Sequence, residues 1–177
     1  MKIDIYTTEN RYNVIYADPA WSYRNKKTGG SHKSGAGQQY TVMKPNEIEL
    51  LPVPATKDSV CFMWTTTPMM HEALHVMAAW GYRYIGLVTW EKTGRLGLGY
   101  WLRVNTEHML YGVKGKVPCW RSSMKNIIRA PVGKHSEKPE VFRELIEKLT
   151  LDMPDRAMLE MFARKHTPGW SVWGNQC

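Results

Sequence analysis

The chain has 177 residues, of which 43% are hydrophobic and 23% charged, a balance typical of a soluble globular protein. Its 24 Lys and Arg residues outnumber its 16 Asp and Glu residues, and the net charge of +8 favours a polyanionic partner such as nucleic acid. No apolar run is long enough to span a membrane, no signal-peptide pattern begins the chain, and the three cysteines are widely spaced. We therefore expect a cytoplasmic protein with no membrane contact, no disulfide framework and no metal cluster.

The predicted elements alternate between strands and helices along the chain, which favours an α/β sheet with helices on both faces in a single domain over residues 1–177. Strands are predicted at 12–17, 59–65, 83–90, 107–113, 126–130, 157–162 and 170–173, and helices at 45–51, 69–80 and 139–150. Gly81 is predicted to cap the second helix, and Pro139 to occupy the first position of the third.

Asp18-Pro19-Ala20-Trp21 directly follows the first predicted strand. In open α/β sheets, ligands bind at the carboxyl ends of the strands, so these residues are predicted to line a ligand site. A carboxylate beside an aromatic ring suits an amino group on a flat heterocycle such as adenine. The exocyclic amine of adenine is a poor nucleophile because its lone pair is delocalised into the ring. Two acceptors, the Asp18 carboxylate and the Pro19 carbonyl, would localise that lone pair, and Trp21, Tyr23 or Tyr40 could stack on a flipped base. The alternative is a strand-end turn with a buried tryptophan.

This segment and several later ones resemble the MT-A70 family of adenine N6-methyltransferases in an ordered series that covers nearly the whole chain. The catalytic motif of that family is Asp-Pro-Pro-Trp, and Asp18 to Trp21 matches three of its four positions. Ala20 replaces the second proline, and Ala163 replaces a glycine common in the family. The further matching segments are 39–43, 62–64, 80–82, 90–93, 107–115, 135–139, 159–164 and 170–176.

The resemblance implies a Rossmann-like class I methyltransferase sheet in the circularly permuted, beta-type order, with S-adenosyl-L-methionine held largely by the C-terminal part. Lys138, just before a helix, suits the methionine carboxylate. Glu160 would orient Arg164 or bind the ribose, and a structural ion pair between the two is the alternative. The residues implied to hold the cofactor are Asp4, Ile5, Asp18, Lys138, Glu160, Arg164, His166, Thr167, Asn175 and Gln176.

Two glycine-rich, basic segments, 24–38 and 92–103, are predicted to be substrate loops, because cations meet phosphates and aromatic rings stack on bases. Plain solvated loops are the alternative. The residues predicted to contact the substrate are Tyr23, Arg24, Lys33, Tyr40, Arg95, Tyr100 and Arg103.

The predicted activity is methyl transfer to the N6 amine of adenine in DNA, with RNA as the alternative substrate and a homodimer as a plausible assembly. Retention of Asp18 and Trp21 argues against a catalytically silent nucleic-acid-binding module. His71-Glu72-Ala73-Leu74-His75 matches the pattern of zinc peptidases, but Ala78 stands where the longer motif requires glycine. We therefore predict no metal and place both histidines on the polar side of a helix.

Overall fold

A computed structural model of the chain describes residues 1–22, 42–94, 97, 101–118, 123–133, 137–175 and 177. Within these residues, seven strands form one mixed sheet. The strands are β1 (Tyr12–Ala17), β2 (Ala55–Thr65), β3 (Arg83–Thr93), β4 (Thr106–Lys114), β5 (Ile127–Pro131), β6 (Met158–Met161) and β7 (Trp170–Trp173). The helices are α1 (Pro45–Glu49), α2 (Met70–Ala79) and α3 (Glu140–Leu149), and a short 3-10 turn at Thr67–Met69 leads into α2.

The sheet order is β5-β3-β4-β2-β1-β6-β7. β4 is antiparallel to both of its neighbours, whereas the pairs β1–β2, β1–β6, β6–β7 and β3–β5 are parallel. All the strands except β4 therefore end at the same edge of the sheet, and β4 begins there. We call this edge the carboxyl edge. Ligands of open α/β sheets bind at such an edge, where the strand order reverses.

Helices cover both faces of the sheet and create two hydrophobic cores. Successive side chains of a strand point to opposite faces. On β1, Ile15 and Ala17 accordingly pack in the core under α1 and α2, while Val14 and Tyr16 pack in the core under α3. Every residue of β1 is buried, as its apolar run predicted. The predicted α/β class with helices on both faces is confirmed.

The predicted elements are all present, with small differences at their ends. β2 begins at Ala55 rather than at residue 59, and β3 extends to Thr93. The expected position of Pro139 was wrong by one residue: its ψ of 138° is extended, so Pro139 is the N-cap and α3 begins at Glu140. Gly81 follows α2 with a φ of +84°, the left-handed conformation that glycine adopts at a helix end, as predicted. None of the described helices is long and apolar enough to cross a membrane.

Candidate active site

Asp18 lies at the carboxyl edge, directly after β1 and between the ends of β2 and β6. Two further segments reach the same place because of the strand directions. β4 begins at this edge, which brings in Glu107, and β5 ends there, so the chain that continues to α3 brings in Lys138. The sheet thus gathers two carboxylates and an amine from three distant parts of the sequence.

Lys138 connects the two carboxylates. Its Nζ lies 2.8 Å from Asp18 Oδ1 and 3.0 Å from Asp18 Oδ2, and 3.4 Å from Glu107 Oε2. The other Glu107 oxygen, Oε1, accepts a hydrogen bond of 2.5 Å from Lys92 at the end of β3. Arg164 lies farther out, with its NH2 3.9 Å from Asp18 Oδ2. The result is a chain of alternating charges, Lys92–Glu107–Lys138–Asp18.

For Lys138 and Glu107, these ion pairs outweigh the effect of burial on the pKa. Burial alone would lower the pKa of Lys138, but the charges of Asp18 and Glu107 outweigh it and raise that pKa above its ordinary value. For Glu107, burial acts to raise the pKa, and the nearby Lys138 and Lys92 more than compensate and lower it. Lys138 is therefore a protonated ammonium and Glu107 a carboxylate at neutral pH.

Aromatic side chains form the floor of this cluster. The Lys138 Nζ lies 5.2 Å from the ring centroid of Trp64, which is fully buried near the end of β2. The Trp64 indole donates a 2.7 Å hydrogen bond to the Tyr16 hydroxyl, and the Trp64 carbonyl accepts a 3.0 Å hydrogen bond from the Trp21 indole. Burial, the largest influence, raises the pKa of Tyr16 far above its ordinary value, so its hydroxyl stays protonated.

The comparisons with known proteins agree with the resemblance. The MT-A70 family model matches residues 12–176. The chain belongs to the MT-A70 family. It is 32% identical over 183 residues to the type II methyltransferase M.MunI of a Mycoplasma species, and the match covers 93% of the chain and 77% of that protein.

Larger eukaryotic members of the MT-A70 family match as well. The chain is 30% identical to an MT-A70-like N(6)-adenosine-methyltransferase of Arabidopsis thaliana, and the match covers 93% of the chain and 24% of that protein. It is 28% identical to the human N(6)-adenosine-methyltransferase catalytic subunit METTL3, with 94% of the chain and 28% of METTL3 covered. The chain thus spans about a quarter of these proteins. Family membership makes it a methyltransferase.

Pro19 and Trp21, the other two residues of the catalytic prediction, already make hydrogen bonds within the protein. The Pro19 carbonyl already accepts the Trp21 backbone N–H at 2.9 Å, although a carbonyl oxygen has a second lone pair for another donor. Stacking of Trp21 on a base is not supported, because its ring is buried in the core and its indole N–H is bonded to Trp64. The other two stacking candidates, Tyr23 and Tyr40, lie outside the described residues.

Glu160 does not pair with Arg164, so both the orienting role and the ion pair expected between them were wrong. Its carboxylate lies 2.7 Å from Arg143 on α3, and both side chains are about 90% buried. The Arg143 guanidinium also lies over the rings of Tyr16 and Trp170, at 5.4 and 5.3 Å. β6 points Glu160 toward α3 because it alternates with Leu159 and Met161, which face the other core. A contact between Glu160 and the cofactor stays a prediction.

The remaining cofactor residues lie on segments that follow β6 and β7 or run beside β7. Residues 1–3 extend the sheet beyond β7 in parallel, which carries Asp4 and Ile5 to the carboxyl edge. The Asp4 side chain is exposed and accepts the Tyr6 N–H, whereas Ile5 is buried. His166 and Asn175 are exposed, and Arg164 is half-buried. Gln176 lies outside the described residues.

The residues present at this edge fit S-adenosyl-L-methionine. The Lys138 ammonium matches its carboxylate, and the Asp18 carboxylate matches its ammonium. The Thr167 hydroxyl is buried and has no hydrogen-bond partner within the described residues, so a polar ligand could satisfy it. The Lys138 and Asp18 contacts would hold the cofactor at the end of β1, whereas Thr167, whose carbonyl accepts the Trp170 N–H at the start of β7, stays a predicted cofactor residue.

Of the predicted substrate residues, only Arg103 lies within the described part of the chain; Tyr23, Arg24, Lys33, Tyr40, Arg95 and Tyr100 lie outside it. Arg103 is exposed on the connection between β3 and β4, beside Trp101, whose side chain is 98% exposed. The end of β3 and the start of β4, which flank this connection, both lie at the carboxyl edge.

Sequence reasoning assigned no role to Glu107 and placed Lys92 in the predicted substrate loop 92–103, whereas Lys92 lies in β3 and donates to Glu107. Glu107 stands in a matching family segment, but nothing in that segment shows which distant residue it meets. The signal for Glu107 was an acidic residue just before the apolar stretch of β4, because a carboxylate there is costly to bury without a partner.

His71 and His75 lie on the exposed side of α2, as predicted, with ring centroids 4.5 Å apart. Within the described residues, no group of three or more His, Cys, Asp or Glu side chains is arranged to hold a metal ion. We expect methyl transfer to survive exhaustive chelation, with elemental analysis finding no stoichiometric metal. Activity that is lost on chelation and restored by zinc would contradict this expectation.

Proposed function

We propose that this chain transfers the methyl group of S-adenosyl-L-methionine to the N6 amine of adenine in DNA. Its class, an N6-adenine methyltransferase, follows from the family. The DNA substrate, the cofactor and the role of each residue belong to the proposal. The observation that carries it is the position of the Asp18 carboxylate at the carboxyl edge, within hydrogen-bond distance of a cation that suits the cofactor.

Asp18 is proposed to accept a hydrogen bond from the target amine, with the Pro19 carbonyl accepting the other hydrogen. Two preorganised acceptors localise the nitrogen lone pair and stabilise the positive charge that develops on the nitrogen during attack. The bound cofactor supplies an electrophilic methyl group. The nitrogen–carbon bond would form as the sulfur–carbon bond of the bound donor broke, which would leave S-adenosylhomocysteine, and the proton lost by the amine would pass to solvent. Burial of the neighbouring Trp21 and Trp64 keeps the Asp18 segment fixed.

The surroundings of the site support a nucleic-acid substrate. The net charge of +8 and the exposed Arg103 suit contacts with a phosphate backbone, and the exposed Trp101 could stack on a base. The relative M.MunI, of which the match covers 77%, is named a type II methyltransferase, which favours DNA for this chain. RNA is the second candidate, because METTL3 is named an N(6)-adenosine-methyltransferase. A single domain over residues 1–177, a cytoplasmic location and a homodimer complete the proposal.

Matched DNA and RNA oligonucleotides test the substrate. The purified chain would be incubated with labelled S-adenosyl-L-methionine and single- or double-stranded oligonucleotides of one sequence, in DNA and in RNA form. We expect faster incorporation of label into DNA. Faster incorporation into RNA would replace DNA by RNA in the proposal and leave the reaction class intact.

Replacement of Lys138 by alanine is expected to weaken the binding of S-adenosylhomocysteine. The lost charge-assisted hydrogen bond to the ligand carboxylate is worth about 1.5–3 kcal/mol. Lys148→Ala, which removes an exposed lysine from the last turn of α3, is the matched control and should leave the affinity unchanged. Isothermal titration calorimetry measures both. Equal affinities in the Lys138 variant and the wild type would place the carboxylate elsewhere.

Neutralising Arg95 and Arg103 together is expected to weaken nucleic-acid binding and to flatten its salt dependence. Each lost phosphate contact lowers the log–log slope by about 0.9 on duplex DNA and about 0.7 on single strands. The matched control neutralises Lys57 and Lys148, two exposed lysines near the start of β2 and the end of α3, away from the carboxyl edge. Binding to nucleic acid is measured at several salt concentrations for the wild type and both variants. Equal slopes for the wild type and the Arg95/Arg103 variant would mean that these arginines contact no phosphate.

A further inference from the structure

Trp64, near the end of β2, lies between Lys138 and the segment that carries Asp18. Its side chain is 1% exposed, and the Lys138 ammonium lies over its ring at 5.2 Å. Its backbone carbonyl holds the Trp21 indole. One residue of β2 thus contacts both the lysine proposed for the cofactor and the tryptophan that follows Asp18.

We propose that Trp64 is a positioning residue that holds the Lys138 ammonium, through a cation–π contact, at the place where it can bind the cofactor's carboxylate. The proposal rests on the proposed function, because that function assigns the carboxylate to Lys138. Trp64 itself does not touch the cofactor or the adenine; it acts through the lysine.

The physical argument starts from the freedom of a lysine side chain. Its four-carbon stem has many rotamers, and its ammonium is a compact charge that is strongly hydrated. At this site, the Lys138 side chain is only 12% exposed, so much of that hydration is lost. The electron-rich face of an indole attracts a cation, and the attraction is greatest when the cation is desolvated. Asp18 and Glu107 then fix the remaining directions of the ammonium.

The Trp64 ring is itself held rigidly, as a support for a cation must be. Its indole N–H donates to the Tyr16 hydroxyl at 2.7 Å. Phe142 on α3 packs edge-on against it, with centroids 4.8 Å apart, and Trp90 on β3 does the same at 6.1 Å. Elements on three sides therefore fix the ring, while one face carries the lysine.

The test compares two ligands that differ in the group that Lys138 would bind. S-adenosylhomocysteine carries the amino-acid carboxylate, and 5′-methylthioadenosine lacks it. In Trp64→Leu we expect about a tenfold loss of affinity for S-adenosylhomocysteine, since a desolvated cation–π contact is lost. The affinity for 5′-methylthioadenosine should not change. A smaller loss is expected in Trp64→Phe, which keeps an aromatic face. A parallel loss for both ligands would show a structural role only and would overturn the proposal, as would no loss for either.

Trp80→Leu is the matched control. Trp80 is likewise buried and its indole donates to the Ile48 carbonyl, but it packs in the other core, under α1 and α2. Trp80→Leu should change the affinities for S-adenosylhomocysteine and 5′-methylthioadenosine to the same extent. In a Lys138→Met background, Trp64→Leu should cause no further loss for S-adenosylhomocysteine. An undiminished loss in that background would mean that Trp64 does not act through the lysine.

Two further measurements test the proposal even if Trp64→Leu does not fold or the ligand does not bind. Fluorinated tryptophans incorporated at position 64 weaken the negative face of the ring and nearly keep its shape, so affinity for S-adenosylhomocysteine should fall as fluorines are added. In the free protein, the methylene protons next to Lys138 Nζ should show an upfield ring-current shift, which Trp64→Phe reduces. Absence of that shift would contradict the proposal that Trp64 positions the Lys138 ammonium. A wild type that shows the shift but binds no S-adenosylhomocysteine would overturn the proposed function instead.

Discussion

Asp18→Ala is expected to lower the rate of methyl transfer by about 10²–10³, because it removes one of the preorganised groups that stabilise the transition state. The affinity for nucleic acid should change little, since a single carboxylate among many phosphate and base contacts adds little to binding. Single-turnover kinetics with a saturating methyl donor measure the rate directly.

Two variants serve as controls for Asp18→Ala. Asp152→Ala removes an exposed carboxylate after α3 and should keep wild-type turnover. Asp18→Asn keeps the shape of the side chain and one acceptor oxygen, so its rate should lie between those of wild type and Asp18→Ala. Near wild-type turnover in Asp18→Ala would remove Asp18 from the mechanism.

Glu160→Ala is expected to lower the free energy of unfolding by about 3–5 kcal/mol, the range measured when one partner of a buried ion pair is removed. Arg143 would remain buried without its main partner. Its Nε lies 2.9 Å from the half-exposed Glu140, which favours the lower end of that range. Chemical denaturation measures the effect.

The exposed pair formed by Glu137 and Lys165 offers a matched control for the buried one. Glu137→Ala should cost less than about 1 kcal/mol, because both side chains are more than half exposed. If Glu160 is structural, the folded Glu160→Ala variant should bind S-adenosylhomocysteine with wild-type affinity. A small loss of stability together with a large loss of affinity would instead make Glu160 a ligand of the cofactor.

The fold could be predicted from the sequence because its signals are local. The run Tyr12–Ala17 is apolar throughout, and that predicts a strand buried on both faces. Apolar residues at helical spacing, preceded by Pro139 and Glu140, similarly predict α3. Gly81 marks the end of α2 because left-handed backbone favours glycine. Errors were confined to element ends, such as Pro139, where the difference between the N-cap and the first helical position is one residue.

The site was predicted in part, because its position depends on local sequence while its contacts depend on distant pairings. Asp18 follows a strand, and that alone places it at the carboxyl edge. The contact of Lys138 with Glu107 joins residues 31 positions apart through an antiparallel strand that no local pattern reveals. Glu160 was paired with the nearby Arg164, although strand alternation turns it toward Arg143 on α3. For Trp21, the sequence left open stacking on a base and a buried tryptophan at the strand end, and its ring is buried in the core that also holds residues of α1 and α2.

Identification of the product tests the central claim most directly. Unlabelled DNA would be incubated with the chain and S-adenosyl-L-methionine, digested to nucleosides and analysed by mass spectrometry against authentic standards. The account predicts N6-methyldeoxyadenosine, formed by the wild type and reduced about 10²–10³-fold in rate by Asp18→Ala. Methylated cytosine in place of N6-methyldeoxyadenosine, or no methylated base in DNA or RNA, would contradict it.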